Sequence, residues 1–303
     1  MFKTIFASTL LASTIAGVHL ASAEEFSQMI AFSGALSDTG NYNAELGKDR
    51  PAPFYKNRST NGPVAVEELA RWLGMAAEPS MHLTAKTGGT NFAVADALAG
   101  GHGPHDLPAQ VDAFLERNGG KADPNALYFV FIGGNDVIKA VQEMDDATSR
   151  KTLSDAVDGI ELQIKRLVEN GAKTIYAPDF IDVGKSPAVL AYGPEASARA
   201  TMLSDEYNRQ FDAMLDKIDD GSFTLIRWSF DDFVKDIEAN GSRLGLTNAT
   251  EACLDVADKC DVDRFIYLTG EYPTARVHQM LGSAMALSLT DRMNGNVREA
   301  KVN

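Results

Sequence analysis

Six apolar residues in a row, Leu127-Tyr128-Phe129-Val130-Phe131-Ile132, stop abruptly at Gly133-Gly134-Asn135-Asp136. A strand with one face in water alternates apolar and polar residues, whereas a strand apolar at every position has to be covered on both faces. That is the situation of a central strand in a parallel sheet. A parallel strand reaches its neighbour only through a crossover long enough to hold a helix, so the rest of the chain should alternate strands with helices. Residues 29–32, 90–94, 173–177 and 223–228 read as further strands, and 64–73, 107–115, 154–170, 196–218 and 275–292 have helical spacing, with another helix following 228. Such alternation predicts one parallel sheet with helices on both faces. No Pro/Gly/Ser linker or repeat interrupts it, so residues 24–303 are expected to form a single domain. In sheets of this kind the working residues sit in loops at the carboxyl ends of strands. The unusual residues cluster there: after Phe32, after Val94, after Ile132 and ahead of the last helix.

Residues 1–23 follow a different grammar. Lys3 is the only charge before a run of small and apolar residues over 4–17, which leads to Ala21-Ser22-Ala23 and then acidic Glu24-Glu25. This is the pattern of a secretory signal peptide cleaved after Ala23. The run falls short of the roughly 20 apolar residues a membrane span needs, and no later segment reaches that length either. The expectation is a secreted or periplasmic protein without a transmembrane segment. A formal net charge of −14 repels phosphate backbones and anionic lipid, so nucleic acid is not an expected partner. Cys253 and Cys260 are the only two cysteines. In an oxidising compartment a close pair of this kind is expected to form a disulfide, worth about 2–3 kcal/mol in the chain-entropy model. No histidine lies near either in sequence, so no metal is expected there.

The segment Phe32-Ser33-Gly34-Ala35-Leu36-Ser37-Asp38-Thr39-Gly40-Asn41 resembles the opening block of the GDSL (SGNH) lipase/esterase family, usually F-G-D-S-L-S-D-T-G-N. Asn61-Gly62-Pro63-Val64, Gly89-Thr90-Asn91-Phe92-Ala93-Val94, Leu107-Pro108-Ala109-Gln110-Val111, Ile132-Gly133-Gly134-Asn135-Asp136-Val137 and Pro273-Thr274-Ala275-Arg276-Val277-His278 resemble further segments of that family, in the same order. The resemblance implies a three-layer α/β/α sandwich, SGNH hydrolase-like and flavodoxin-like, on a parallel sheet of about five strands. It also implies a chemistry. The serine of the first block attacks an ester carbonyl, and a closing D-x-x-H-P-T segment supplies acid and base. A first-block N–H, a second-block glycine and the third-block asparagine form the oxyanion hole. Serine is a poor nucleophile until a base within reach takes its proton, and the oxyanion needs donors already in place.

Mapped one position at a time, the family triad falls on Ala35 (nucleophile), Thr269 (acid) and Tyr272 (base). The glycine pair of the second block is Ala95-Asp96, and the Asp96 carboxylate is expected to face the place where an oxyanion would form. Asn135 is the remnant of the oxyanion hole. In a triad enzyme, loss of the nucleophile or the base lowers turnover by about 10⁶. The favoured reading is therefore a GDSL-like protein that does not hydrolyse esters and binds a small acyl or glycan ligand, or a protein partner, at the former site. Tyr272 and Thr269 then either line a ligand pocket or fill an unused site. The alternative is a weak or divergent esterase working through Ser33 or Ser37 with His278, although His278 reads first as a helix-surface or packing residue. His102 and His105 sit in Gly101-His102-Gly103-Pro104-His105-Asp106, where an H-x-x-H in a Gly/Pro loop lacks the fixed face a metal needs. No cofactor and no metal are expected.

Overall fold

The computed structural model describes residues 26–256 and 260–293, so the expected signal segment 1–23 lies outside the described residues. The chain runs β1 (Met29–Ser33), α1 (Asn41–Leu46), α2 (Ala65–Trp72), α3 (Leu107–Arg117), β2 (Leu127–Phe131), α4 (Gly134–Gln142), α5 (Asp146–Glu169), β3 (Thr174–Pro178), α6 (Pro187–Leu190), α7 (Pro194–Ile218), β4 (Thr224–Trp228), α8 (Phe230–Asn240), β5 (Asn248–Ala252), β6 (Phe265–Tyr267) and α9 (Ala275–Met293). Among the described residues no helix is long and apolar enough to cross a membrane.

The main sheet is parallel with strand order β1-β2-β3-β4, and Phe32 and Ser33 of β1 stand opposite Val130 and Phe131 of β2. The expected strand at 90–94 is not a regular strand, yet it occupies the fifth place. The Phe92 N–H donates to Ala31 O (2.7 Å), Val94 N–H to Ser33 O (3.1 Å) and Ala31 N–H to Thr90 O (3.1 Å). Its outer side is closed by residues 78–80, since Asn91 N–H donates to Glu78 O and Ser80 N–H to Asn91 O. The second segment in sequence thus lies outside the first, and strand order reverses between β1 and β2. This is the switch point where open α/β sheets leave a crevice at the strands' carboxyl ends.

Both faces of β2 are covered, as its composition requires. Tyr128 meets Phe114 of α3 edge to face (5.8 Å). Phe129 and Phe131 pack towards Leu281 and Met285 of α9. Helices α3, α5 and α7 pack in a row, and α2 pairs with α9. A second parallel pair, β5 and β6, which the sequence did not suggest, sits with a small apolar cluster of Ile237, Leu246, Ile266, Tyr267 and Val277. The expected disulfide between Cys253 and Cys260 is present directly after β5.

His278 sits inside this packing and not on a helix surface. It is buried in α9, and its Nδ1 accepts the Ala65 N–H (3.1 Å) at the start of α2. Beside it Glu67 accepts the Val64 N–H (2.9 Å), so two of the donors left open at the helix start are satisfied. Accepting that bond requires a neutral ring, and burial pushes the His278 pKa down to about 3. A histidine ordinarily near 6.5 that is held neutral in the fold supplies stability that is complete above 6.5 and is lost as pH falls from 6.5 towards 3. His278→Gln, which offers an acceptor but does not titrate, should narrow its stability gap to the wild type as pH is lowered from 7 to 4 in urea unfolding. Burial raises Asp136 and Asp179 to about 6; these act in the opposite direction between pH 4 and 6 but equally in both proteins. At pH 7, His278→Ala should cost about 1–3 kcal/mol for the orphaned N–H.

Candidate active site

The end of β1 is held rigidly. Ser33 N–H donates to Gln110 Oε1 (3.0 Å), while Gln110 Nε2 donates back to Ser33 O (2.9 Å). The Ser33 hydroxyl donates to the Phe131 carbonyl of β2. The chain then turns through Gly34–Ser37, with Ser37 and Asp38 N–H both donating to Gly34 O. Asp38 gathers four backbone N–H groups: Gly40 (2.7 Å), Asn41 (2.8 Å), Tyr42 (3.2 Å) and Ala95 (2.9 Å). Burial pushes its carboxyl above the ordinary range and these four bonds pull it back. Asn41 donates to Asn91 O and Ala93 O, and Asn91 donates to Ser37 O and Thr39 Oγ1. The loops after β1 and after residue 94 are therefore one buried polar unit.

Ala35 stands at the head of this unit, 7% exposed, on the wall of a cavity of about 720 Å³. Across from it the apolar run of β2 ends because only glycine fits. Gly133 has φ +116°, and a side chain there would strike Tyr207, whose hydroxyl donates to Ile132 O (2.8 Å). A side chain on Gly134 would strike Phe180. Asn135 follows in the first turn of α4 and donates through Nδ2 to Ala97 O (2.9 Å). Asp136 accepts Ala99 N–H (2.8 Å) and Gly100 N–H (3.1 Å), which fixes the same loop from the other side.

Contrary to the expectation from sequence, Asp96 does not face the cavity. Its backbone keeps the left-handed conformation (φ +67°) that favours glycine and that aspartate tolerates better than most residues. Its side chain is exposed and pairs with the Tyr42 hydroxyl, which raises that phenol. Ala97, not Asp96, lines the cavity. Ala95 is buried with its N–H on Asp38. Among the described residues neither Ala35 nor Asp96 donates its backbone N–H to a protein acceptor.

The cavity brings Ala35, Asn135 and Tyr272 together, whereas Thr269 and Ser37 are outside its lining and His278 is committed to α2. Tyr272 is fixed by its carbonyl, which accepts Leu268 N–H (2.8 Å). Burial raises its phenol, and the neighbouring Glu271 adds to the rise. Ser33 touches the cavity wall, but its hydroxyl is spent on Phe131. One serine–histidine pair went unseen in the sequence: Ser80 Oγ lies 2.6 Å from His82 Nδ1. Ser80 is 0% exposed and absent from the cavity lining; burial and the Arg117 charge push His82 down to about 4. His105 turns to Glu45 (2.6 Å) and His102 is exposed. Among the described residues no three His, Cys, Asp or Glu side chains gather as metal ligands would.

The cavity itself was also illegible in the sequence. Its walls are Phe131, Ile132, Ile138, Val141, Phe180, Ile181, Val183 and Val189, with Tyr192, Asp255 and Glu271 at its edge. Most of these look like ordinary core residues until β2, α4 and the 180–192 segment are placed side by side. The arrangement offers hydrogen-bond donors beside a methyl group and an apolar chamber.

The GDSL-like Lipase/Acylhydrolase family model matches residues 33–281. The chain is 29% identical over 190 residues to Lipase 1 of Photorhabdus luminescens, covering 62% of this chain and 27% of that protein. It is 29% identical over 171 residues to the phosphatidylcholine-sterol acyltransferase of Aeromonas hydrophila, covering 54% and 47%. With Esterase EstA of Pseudomonas aeruginosa it shares 27% identity over 246 residues, covering 70% and 37%. The chain thus spans less than half the length of each of these relatives. The family match extends from the last residue of β1 into α9 and takes in every loop described above, so the chain belongs to the GDSL-like lipase/acylhydrolase family.

Proposed function

We propose that this protein is an exported GDSL protein that does not hydrolyse esters and instead holds an acyl chain in the cavity beside Ala35. The observation that carries the reading is that Ala35, where the family resemblance puts the nucleophile, presents only a methyl group on the cavity wall. Neither neighbouring serine is placed to replace it. The Ser33 hydroxyl is bonded to Phe131 O, and Ser37 is buried outside the lining. The candidate base His278 is turned to Ala65. An acyl chain fits the chamber better than a glycan does, because ligand hydroxyls need convergent polar side chains and this lining is predominantly aliphatic and aromatic. Export is supported by the sequence of residues 1–23 and by the Cys253–Cys260 disulfide, which suits an oxidising compartment.

The protein beginning at Glu24 should show no turnover of short or long chromogenic esters above buffer and no labelling by a fluorophosphonate probe. Labelling or turnover that disappears in Ser33→Ala or Ser37→Ala would establish the divergent-esterase alternative instead. A second measurement asks whether the scaffold still holds the old geometry. Ala35→Ser alone should stay silent, since an unassisted serine forgoes most of the roughly 10⁶ that nucleophile and base together supply. Ala35→Ser with Thr269→Asp and Tyr272→His should gain measurable ester turnover; if it does not, the loops no longer present those positions to one another.

A further inference from the structure

Resting on the reading of the cavity as an acyl-chain site, we propose that its occupant carries a cationic ammonium head, and that free fatty-acid anions are excluded. Asp255 and Glu271 are the charged side chains that line the cavity, and no lysine, arginine or histidine lines it among the described residues. Arg50, whose charge reaches Tyr272, stacks on Phe54 (5.0 Å) outside the lining. Glu271 takes part in no ion pair or hydrogen bond among the described residues, and partial burial raises its carboxyl. A carboxylate left unpaired beside an apolar chamber favours a cation brought in by the ligand and opposes a second anion.

The two carboxylates belong to the exposed part of the lining. Phe131, Ile132, Ile181 and Val183 are buried, whereas Asp255 and Glu271 are exposed and Tyr192 is 83% exposed. The chamber is therefore apolar within and acidic at its rim, the polarity of an amphiphile with its head outward. The rim is also well anchored. Ala188 N–H of α6 donates to Gly270 O (2.9 Å) and Leu254 N–H to Leu268 O (3.0 Å), with the disulfide closing the Asp255 loop. Tyr192 and Tyr272 add aromatic faces to the same lining, a surface that attracts ammonium groups through the ring quadrupole. The net charge of −14 acts in the same sense at longer range.

Decyltrimethylammonium, decanol and decanoate, each below its micellar concentration, separate chain binding from head recognition in isothermal titration. The expected order is decyltrimethylammonium tightest, decanol next and decanoate weakest, with about tenfold between the first two at low salt. Glu271→Gln with Asp255→Asn should abolish that preference and leave decanol unchanged; both residues are at the exposed rim, and the unchanged decanol affinity reports an intact chamber. Decylphosphocholine assigns the source. Affinity equal to that for decyltrimethylammonium points to a zwitterionic lipid head, affinity equal to that for decanol to a soluble ammonium amphiphile, and the cation preference stands in both cases. Decanoate binding as tightly as decyltrimethylammonium, or a preference that survives the double substitution, overturns the proposal while leaving acyl binding intact. Failure of all probes, decanol included, overturns the acyl-chain reading as well.

Discussion

β2 has no polar face, and the position of every other part of the site follows from covering it. Tyr128 packs against α3 while Phe129 and Phe131 turn to α9, so helices must lie on both sides and the neighbouring strands must run parallel. Parallel neighbours in turn send all the strand-to-helix loops to one edge. The strand can end only where Gly133 and Gly134 let the backbone pass under Tyr207 and Phe180. That sharp end is what brings Asn135 beside the turn that leaves β1.

The loops at that edge are held by buried hydrogen bonds that do not involve the family's reacting groups. Asp38, Asn41 and Asn91 bond almost entirely to backbone atoms, and Gln110 grips Ser33 at both its N–H and its carbonyl. A buried donor or acceptor left without a partner costs about 1–3 kcal/mol, so losing any of these would disturb the fold. Ala35 contributes no side-chain bond to the network, so the methyl there leaves every one of its bonds in place.

Much of this was legible in the residues. The uninterrupted apolar run of β2, the alternation around it and the ordered family blocks pointed to the layered parallel fold, and the positions of Ala35 and Asn135 after strands and of Tyr272 ahead of the last helix suggested that they lie near one another. Three features were not legible, each for a definite reason. The 90–94 segment has a strand's composition, but its register with β1 and with residues 78–80 is limited to single bridges at Asn91, so it does not form a regular strand. Asp96 was expected to face the cavity, but in a left-handed conformation the direction of a side chain depends on its partners, and Tyr42 is distant in sequence. His278 stands in a helix beside polar residues, and only the packing of α9 on α2 shows that its ring serves the Ala65 N–H.

The sequence by itself determined the fold class and the family, because strand patterning and block order are local properties written in consecutive residues. The tertiary structure decided which side chains share a space. The apolar chamber, the carboxylates of Asp255 and Glu271 at its rim and the commitment of Ser33 and His278 to structural bonds all depend on contacts between segments far apart in the chain. Closeness of that kind exists only after the sheet has brought its loops to one edge.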